Sequence, residues 1–512
     1  MKKQIIRIVL VLFSSLLNTN ATNNHYQTAN KQNNVFEAFN VSPDEDLFEF
    51  DDSLLITMFP EVGVKCQMSK STNTIFSHSM QFHCTPNDNN HQDYLIIVNQ
   101  SLFTSISSDI IRYAEDVHAI YGYGVIIEII ANDTPEDIKS LILIYQNNLC
   151  GVLLIGNISE AFFETSNDHN KYGYRYWPCD LYFMDLNGVW TDSDNNGRYD
   201  LHTGNTSPEI FVGRLSATGM SSIGNETTLI QMQLQKTHNF WWRSSYSTST
   251  TVLNYIDKDW ADDYFSTNTI SPVFSSGNVV DIRYGVNTSF SPSNYVNNLS
   301  NTQYGFTQLA AHSSPTSHCF TNGYVELIDI KQNTSNNYAY NLFCCSACNW
   351  TQATSQGYLG GAYLFNNGKT MVVVGSTKTG GMWETTNFYS QFSSQNIGNA
   401  FLNWWISTYG NNHTNSIIWW SYGMVLLGDP TINFRHEVSN VCTNNLVLNT
   451  FPTNNCSNLI IYKAAQSISV SGNFVIPQGV HVVFDAPQVS FADTFNCPIG
   501  ASFETRSEGC EL

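Results

Sequence analysis

Two apolar stretches of the chain each run out on a side chain that can do acyl chemistry. "YGFTQLAAH" stops on His312, and "YNLFCC" stops on Cys344 and Cys345. In cysteine hydrolysis the thiolate attacks, while an imidazole takes up its proton and passes one to the leaving amine. The small residues Ser313, Ser346 and Ala347 leave room for backbone N–H groups to face a developing oxyanion. Other devices fit the same stretch. Cys345-Ser-Ala-Cys348 is a C-x-x-C, half of a redox or zinc site, with His318-Cys319 as a second pair. Neither pair has the flanking glycines of a zinc knuckle. A structural disulfide between Cys319 and Cys348 is compatible with a reactive Cys345.

A second chemical signature is "DLNGVWTDSDNNGRYD". Asp192, Asp194 and Asn196 fall at alternate positions, Gly197 allows the turn, Arg198 offers its backbone carbonyl, and Asp200 follows. This is the spacing that wraps oxygen ligands around calcium (Ca2+) in a structural role. The twelfth position is Thr203 rather than Glu, so the bidentate anchor is missing and binding is expected to be weak. The tryptophan pairs Trp241-Trp242, Trp404-Trp405 and Trp419-Trp420 read as core and rim packing rather than sugar platforms.

The elements that must position these groups follow an α/β rhythm. "YLIIVN" is a continuous apolar run, as expected of a strand covered on both faces. "SSDIIRYAEDVHAIYG" has helical periodicity and ends at Gly122, and "GVIIEII" is a second strand. "DTPEDIKSLILIYQNN" opens as a capped helix on Asp133 or Thr134 with Pro135 at its first position, and "GVLLIG" is a third strand. The rhythm resumes with "TVLNYID", "FTQLAAH", "AYNLFCC" and "TMVVVGS" and fades after "VLLGDPTINF". Strand–helix alternation with short connections predicts a parallel sheet flanked by helices. In such sheets ligands bind outside the carboxyl ends of the strands, where His312 and Cys345 stand if their strands are neighbours. The last 75 or so residues carry short alternating strands and no helix signal, which predicts a small all-β domain, solenoid-like in character.

On these residues the chain resembles the gingipain family of cysteine peptidases, in the caspase-like clan. The resemblance runs over about 94–434 and includes "PEIFVGRLS" and "GMVLLGDPTINF". It implies a catalytic His312 and Cys345 at the ends of adjacent strands, with Trp350 as the aromatic after the nucleophile. Cys345 is chosen because it leaves the family-like number of residues before Trp350; Cys344 then points into the core. The family's Gly-His-Gly is Ala311-His312-Ser313 here. The oxyanion-hole N–H groups would therefore belong to Cys345 and Ser313, with a β-carbon narrowing the approach. Asp257, ending "VLNYID", stands where the family has an acidic residue near the histidine, and would orient the imidazole or stabilise its charge. Asp259, Asp262 and Asp263 add negative charge that favours a basic residue at the cleavage point.

The bulk composition sets the boundaries. With 22 basic and 42 acidic residues the formal charge is −20, which argues against a nucleic-acid partner. Lys2 and Lys3 before the apolar run Ile8 to Leu17, then small residues around Ala21, read as an export signal over 1–21. That run is about half what a bilayer span needs, and no later segment looks like a membrane span. Export permits disulfides among the 12 cysteines; Cys66/Cys84, Cys442/Cys456 and Cys497/Cys510 are close enough in sequence to pair, although spacing does not fix connectivity. Residues 22–90 form a leader, either a pro-segment or a small β subdomain. A peptidase domain over 91–436, in halves of about 91–220 and 221–436, precedes the β-domain at 437–512, which resembles surface-attachment modules. The expected activity is secreted cysteine endopeptidase action on proteins or peptides, with no cofactor for catalysis. A sortase-like transpeptidase and a non-catalytic surface-binding protein remain the alternatives.

Overall fold

The computed structural model describes residues 79–82 and 92–512, apart from 132, 262–264, 302–303, 413 and 453–457. The export signal, nearly all of the leader and the Cys66/Cys84 pairing lie outside the described residues. So do Asp262 and Asp263.

One 11-stranded sheet organises the larger part of the chain. Its strands are β1 (Ser79–Phe82), β2 (Asp93–Asn99), β3 (Gly124–Ile130), β4 (Leu149–Ile155), β5 (Phe211–Leu215), β6 (Thr251–Ile256), β7 (Asn278–Arg283), β8 (Phe306–Ala310), β9 (Ala339–Phe343), β10 (Val372–Ser376) and β11 (Met424–Gly428). Across the sheet they lie in the order β1-β3-β2-β4-β5-β11-β10-β9-β8-β6-β7. Pairing is parallel except at β1–β3 and β10–β11. Because β11 is parallel to β5 but antiparallel to β10, the two blocks of strands run in opposite directions. The sheet is thus mostly parallel, and the two α/β halves are joined edge to edge by the last strand of the peptidase region.

Burial on both faces explains the continuous apolar runs. In β2, Tyr94, Ile96 and Val98 enter one core while Leu95 and Ile97 enter the other. Helix α1 (Gln100–Tyr121) is capped by Asn99, whose side chain accepts from Ser101 N, and ends at Gly122 in the left-handed region at φ 68°. It begins earlier than its periodicity suggests, with non-helical backbone at Ile106 marking the join. Helix α2 (Pro135–Ile144) carries the capping box Thr134/Asp137, so Thr134 is the cap rather than Asp133. Helix α3 (Glu226–Trp242) packs beside α1. Among the described residues no helix is long and apolar enough to cross a membrane.

The C-terminal segment is a parallel β-solenoid. Asn445–Thr450, Ser467–Asn473 and Gln488–Phe491 form one three-stranded sheet; Leu459–Lys463, His481–Asp485 and Ser502–Arg506 form the other. The register aligns Leu446 with Ile468 and Val489, and Ile460 with Val482 and Phe503. Each coil therefore adds one strand to each face over a core of Ile468, Val470, Phe474, Val482 and Phe484. The solenoid is fastened to the peptidase region. Arg506 meets Glu115 through both terminal nitrogens, His238 meets Glu508 at 3.1 Å, and Glu511 N donates to Trp242 O at 2.7 Å.

Cys442 bonds to Cys510, across a sequence separation of 68, with Cα atoms 6.0 Å apart. This corrects the short-range pairings Cys442/Cys456 and Cys497/Cys510; Cys497 is a free thiol. In a solenoid, proximity follows coils rather than sequence distance. The entering and leaving chain ends meet at the same place on the peptidase surface.

Candidate active site

Strands β8 and β9 are direct neighbours, with Ala310 paired to Phe343, so the residues just beyond them share one edge of the sheet. After β8 the chain passes Ala311 and turns into a hairpin, His312–Ser313 against Ser317–Phe320. After β9, Cys344 is 1% exposed and packs in the core, where burial raises its thiol far above the usual range. Cys345 is partly exposed, and its sulfur is the group that most affects the His312 imidazole. Consecutive extended residues face opposite ways, which is why one thiol of the pair is buried and the next reaches the edge.

His312 Nε2 stands 2.9 Å from Asp259 Oδ2. Cys345 is the largest cause of a rise of His312 to about 9; burial opposes it, and Asp259, which accepts from the imidazole N–H, adds to the rise. The acid that meets the imidazole is thus Asp259, in the single turn Lys258–Trp260, rather than Asp257. Asp257 is 2% exposed, and both its oxygens accept from Thr321, through N at 3.0 Å and Oγ1 at 2.9 Å. It pins the hairpin that carries His312. Nothing in the sequence marks the distinction, because Thr321 lies 64 residues beyond Asp257.

The backbone around the thiol is held from both sides. Ser346 takes φ 57°, and its N–H donates to Lys378 O at 2.8 Å, which anchors the turn after Cys345. Ser313 Oγ donates to Cys345 O, holding the two strand ends together. Hydrogen-bonded and open pairs alternate along an antiparallel hairpin. Since Ser314 N donates to Ser317 O, Ser313 falls at an open pair, its N–H turned away from the hairpin partner. Lys378, 4% exposed, is paired with Asp168 at 2.9 Å and carries positive charge near Cys345.

The other cysteines do not converge on the site. Cys348 is fully buried as a free thiol, so close to Gly360 and Gly375 that a Cβ at either would lie 3.0 or 2.6 Å from its sulfur. Cys319 is also free, which removes the Cys319–Cys348 disulfide. His318 is buried with Nε2 on Tyr363 OH at 2.8 Å, so the two pairs do not assemble a zinc site. Trp350 donates to Glu160 at 2.6 Å and lies under the Arg214 guanidinium, 4.8 Å away. Arg214 is itself held by Asp180 at 2.7 and 3.0 Å.

Away from this edge, Asp194 and Asp200 come together with Glu164, their carboxylate oxygens within 4.8 Å of one another. Asp192 accepts from the N–H groups of Asn196 and Gly197, and Asn196 Nδ2 reaches both Asp194 and Glu164. Glu164 comes from the strand Phe162–Thr165, remote in sequence from the loop, and carried no signal there. The Arg198 side chain lies over the Tyr176 ring at 4.0 Å, with Nη1 3.8 Å from Glu164 Oε2.

With this geometry in hand, three comparisons place the chain among known proteins. None of the curated proteins compared matches it. Among solved structures it resembles the crystal structure of the Arg-specific cysteine proteinase gingipain R (RGPB), at 14% identity and a TM-score of 0.45 over 71% of this chain and 84% of that one. It also resembles a chain described as "Structure of Protease", at 13% identity and a TM-score of 0.44 over 68% and 79%. The model of peptidase family C25 matches residues 87–435, a span that contains every strand from β2 to β11 as well as His312 and Cys345. The chain belongs to peptidase family C25, the gingipain family of cysteine peptidases.

Proposed function

We propose that this cysteine peptidase is an exported endopeptidase that works through Cys345, His312 and an acyl-enzyme. The observation that carries the reading is that His312, held by Asp259 at 2.9 Å, and a partly exposed Cys345 follow two neighbouring strands at one edge of the sheet. The Cys345 sulfur attacks the scissile carbonyl, and its electron pair moves onto the oxygen. The N–H groups of Cys345 and Ser313 stabilise that oxygen. His312 gives its proton to the amine as the C–N bond breaks, then takes one from the water that releases the acyl group. Asp259 orients the imidazole and favours its charged form. The substrates are proteins or peptides, and the solenoid attaches the enzyme to a cell surface.

Labelling with an electrophilic peptide ketone tests the assignment. Wild type and Cys344→Ala are expected to be labelled, and Cys345→Ala and His312→Ala are not. Labelling that survives Cys345→Ala but is lost with Cys344→Ala refutes the choice of nucleophile; no labelling of any form refutes the peptidase reading.

We also propose a structural calcium ion held by Asp192, Asp194, Asn196, Asp200 and Glu164, with the Arg198 carbonyl. The convergence of three carboxylates on a loop with Gly197 at φ 84° supports it. Chelation is expected to lower the melting temperature of wild type and to leave Asp200→Asn unchanged; equal responses would remove the site.

A further inference from the structure

Beside His312 lies an aromatic patch at the carboxyl end of the sheet. Ile256, Ala310 and Phe343, at the ends of β6, β8 and β9, form with Phe265 a small cluster separate from the two main cores. Trp260, Trp383 and Trp420 close over it, and all three are partly exposed. They arrive from three places: the turn after β6, the loop after β10, and the helix Asn415–Ser421. Their rings meet edge to face, Trp383 to Trp420 at 4.9 Å, Trp260 to Trp383 at 6.2 Å and Trp260 to Trp420 at 6.4 Å. Phe343 touches each of them, at 4.8 to 6.0 Å.

The patch is continuous with the chemistry. The Trp260 ring lies 5.5 Å from the His312 imidazole, and Phe343 is two residues before Cys345. The loop bearing Trp383 reaches its place only because it lacks side chains at its bend. A Cβ on Gly380, at φ +141°, would come within 2.6 Å of Trp420 O, and one on Gly381 within 2.7 Å of the Phe343 ring. Two glycines therefore serve to bring an indole up to the site.

Charge decides what such a surface accepts. A basic substrate side chain leaving water needs a carboxylate to meet it. Among the described residues, the acids closest to the imidazole and to Lys378 are engaged, while Glu384, next to Trp383, stands exposed to water. Asp257 is bonded to Thr321, Asp259 to His312, and the buried Asp168 to Lys378. An aromatic or large aliphatic side chain would instead gain apolar contact and edge-to-face packing.

We propose that Trp260, Trp383 and Trp420 form the S1 subsite and that it selects a large apolar or aromatic P1 residue, the one whose carbonyl is attacked. This rests on the peptidase reading above, and it reverses the basic preference suggested by the acidic run at 257–263. Trp383 and Trp420 act as specificity residues, with Trp260 bridging the subsite to the imidazole.

The test uses the full chain and a set of fluorogenic peptides that differ only at P1: Phe, Leu, Ala, Lys and Arg. Phe or Leu is expected to exceed Arg and Lys by at least about tenfold in kcat/KM, the scale on which apolar pockets discriminate. Trp420→Ala is expected to lower turnover of the Phe peptide by about tenfold and of the Ala peptide by less than about threefold. Trp420→Phe restores most of the Phe preference. Arg or Lys cleaved as well as Phe overturns the subsite, and so does an equal loss on all peptides in Trp420→Ala. A ketone probe with Ala at P1 separates the two proposals. Labelling of Cys345 with no P1 preference overturns the subsite alone, whereas no labelling and no cleavage of any peptide overturns the peptidase reading and the subsite together.

Discussion

Replacing Asp259 by asparagine separates the acid that meets the imidazole from the acid that only lies near it in sequence. His312 holds its proton to about pH 9, with Cys345 as the larger cause and Asp259 as the second. The His312–Asp259 pair is open to water, its side chains 50% and 60% exposed. Solvent screening therefore limits it to the scale of a surface ion pair, about 0.2–1 kcal/mol. At 1.36 kcal/mol per pH unit, that is about 0.15–0.7 of a unit. The sign is fixed: removing the negative charge favours neutral imidazole, so the His312 pKa falls. The proton needed by the leaving amine is then lost earlier as pH rises. In kcat/KM measured over roughly pH 6 to 10 with a single peptide, the alkaline limb of Asp259→Asn is expected to move down by about half a unit. At neutral pH the rate should fall less than about tenfold, and the difference from wild type should shrink in 1 M salt. Asp257→Asn should leave the limb in place and lower stability by about 1–3 kcal/mol, the cost of weakening two buried hydrogen bonds. A limb that moves with Asp257→Asn and not with Asp259→Asn would refute the reasoning.

The Cys442–Cys510 bond closes a long loop, so Cys442→Ala with Cys510→Ala is expected to cost about 4 kcal/mol on chain-entropy grounds. Denaturant unfolding followed at the solenoid should report this, while peptidase activity of the folded fraction stays near wild type. Arg214→Met leaves Asp180 buried without its partner and removes the cation over Trp350; a loss of about 3–5 kcal/mol is expected in denaturant melts. Adding Asp180→Leu should recover part of that loss.

The parts of the fold legible in the sequence are those that local pattern encodes. The apolar runs of β2, β3 and β4, the Thr134 cap and the Gly122 stop all state their conformation within a few residues. His312 and Cys345 were legible because each follows such a run, and a parallel sheet gathers strand ends on one edge. What escaped depends on contacts between distant segments. Asp257 and Asp259 are two residues apart, and which of them meets His312 is decided by the turn between them and by Thr321 across the hairpin. Glu164 joins the acidic loop from a strand about thirty residues upstream, so the gap at Thr203 looked like a missing ligand. The cysteine pairing failed because a solenoid coil returns the chain to its starting place, and nearest neighbours in sequence are then poor guides to contact.

Strand β11 also imposes a timetable on synthesis. It is made last among the eleven strands, yet it sits in the middle, between β5 and β10. Until the ribosome has passed Gly428, the two blocks have no shared edge. The loops that cross between them, Glu160 to Trp350 and Asp168 to Lys378, then have nothing to hold them in register. A nascent chain can complete the strands bearing His312 and Cys345 well before it can brace them. The edge bearing His312 and Cys345 is thus braced only once β11 is in place.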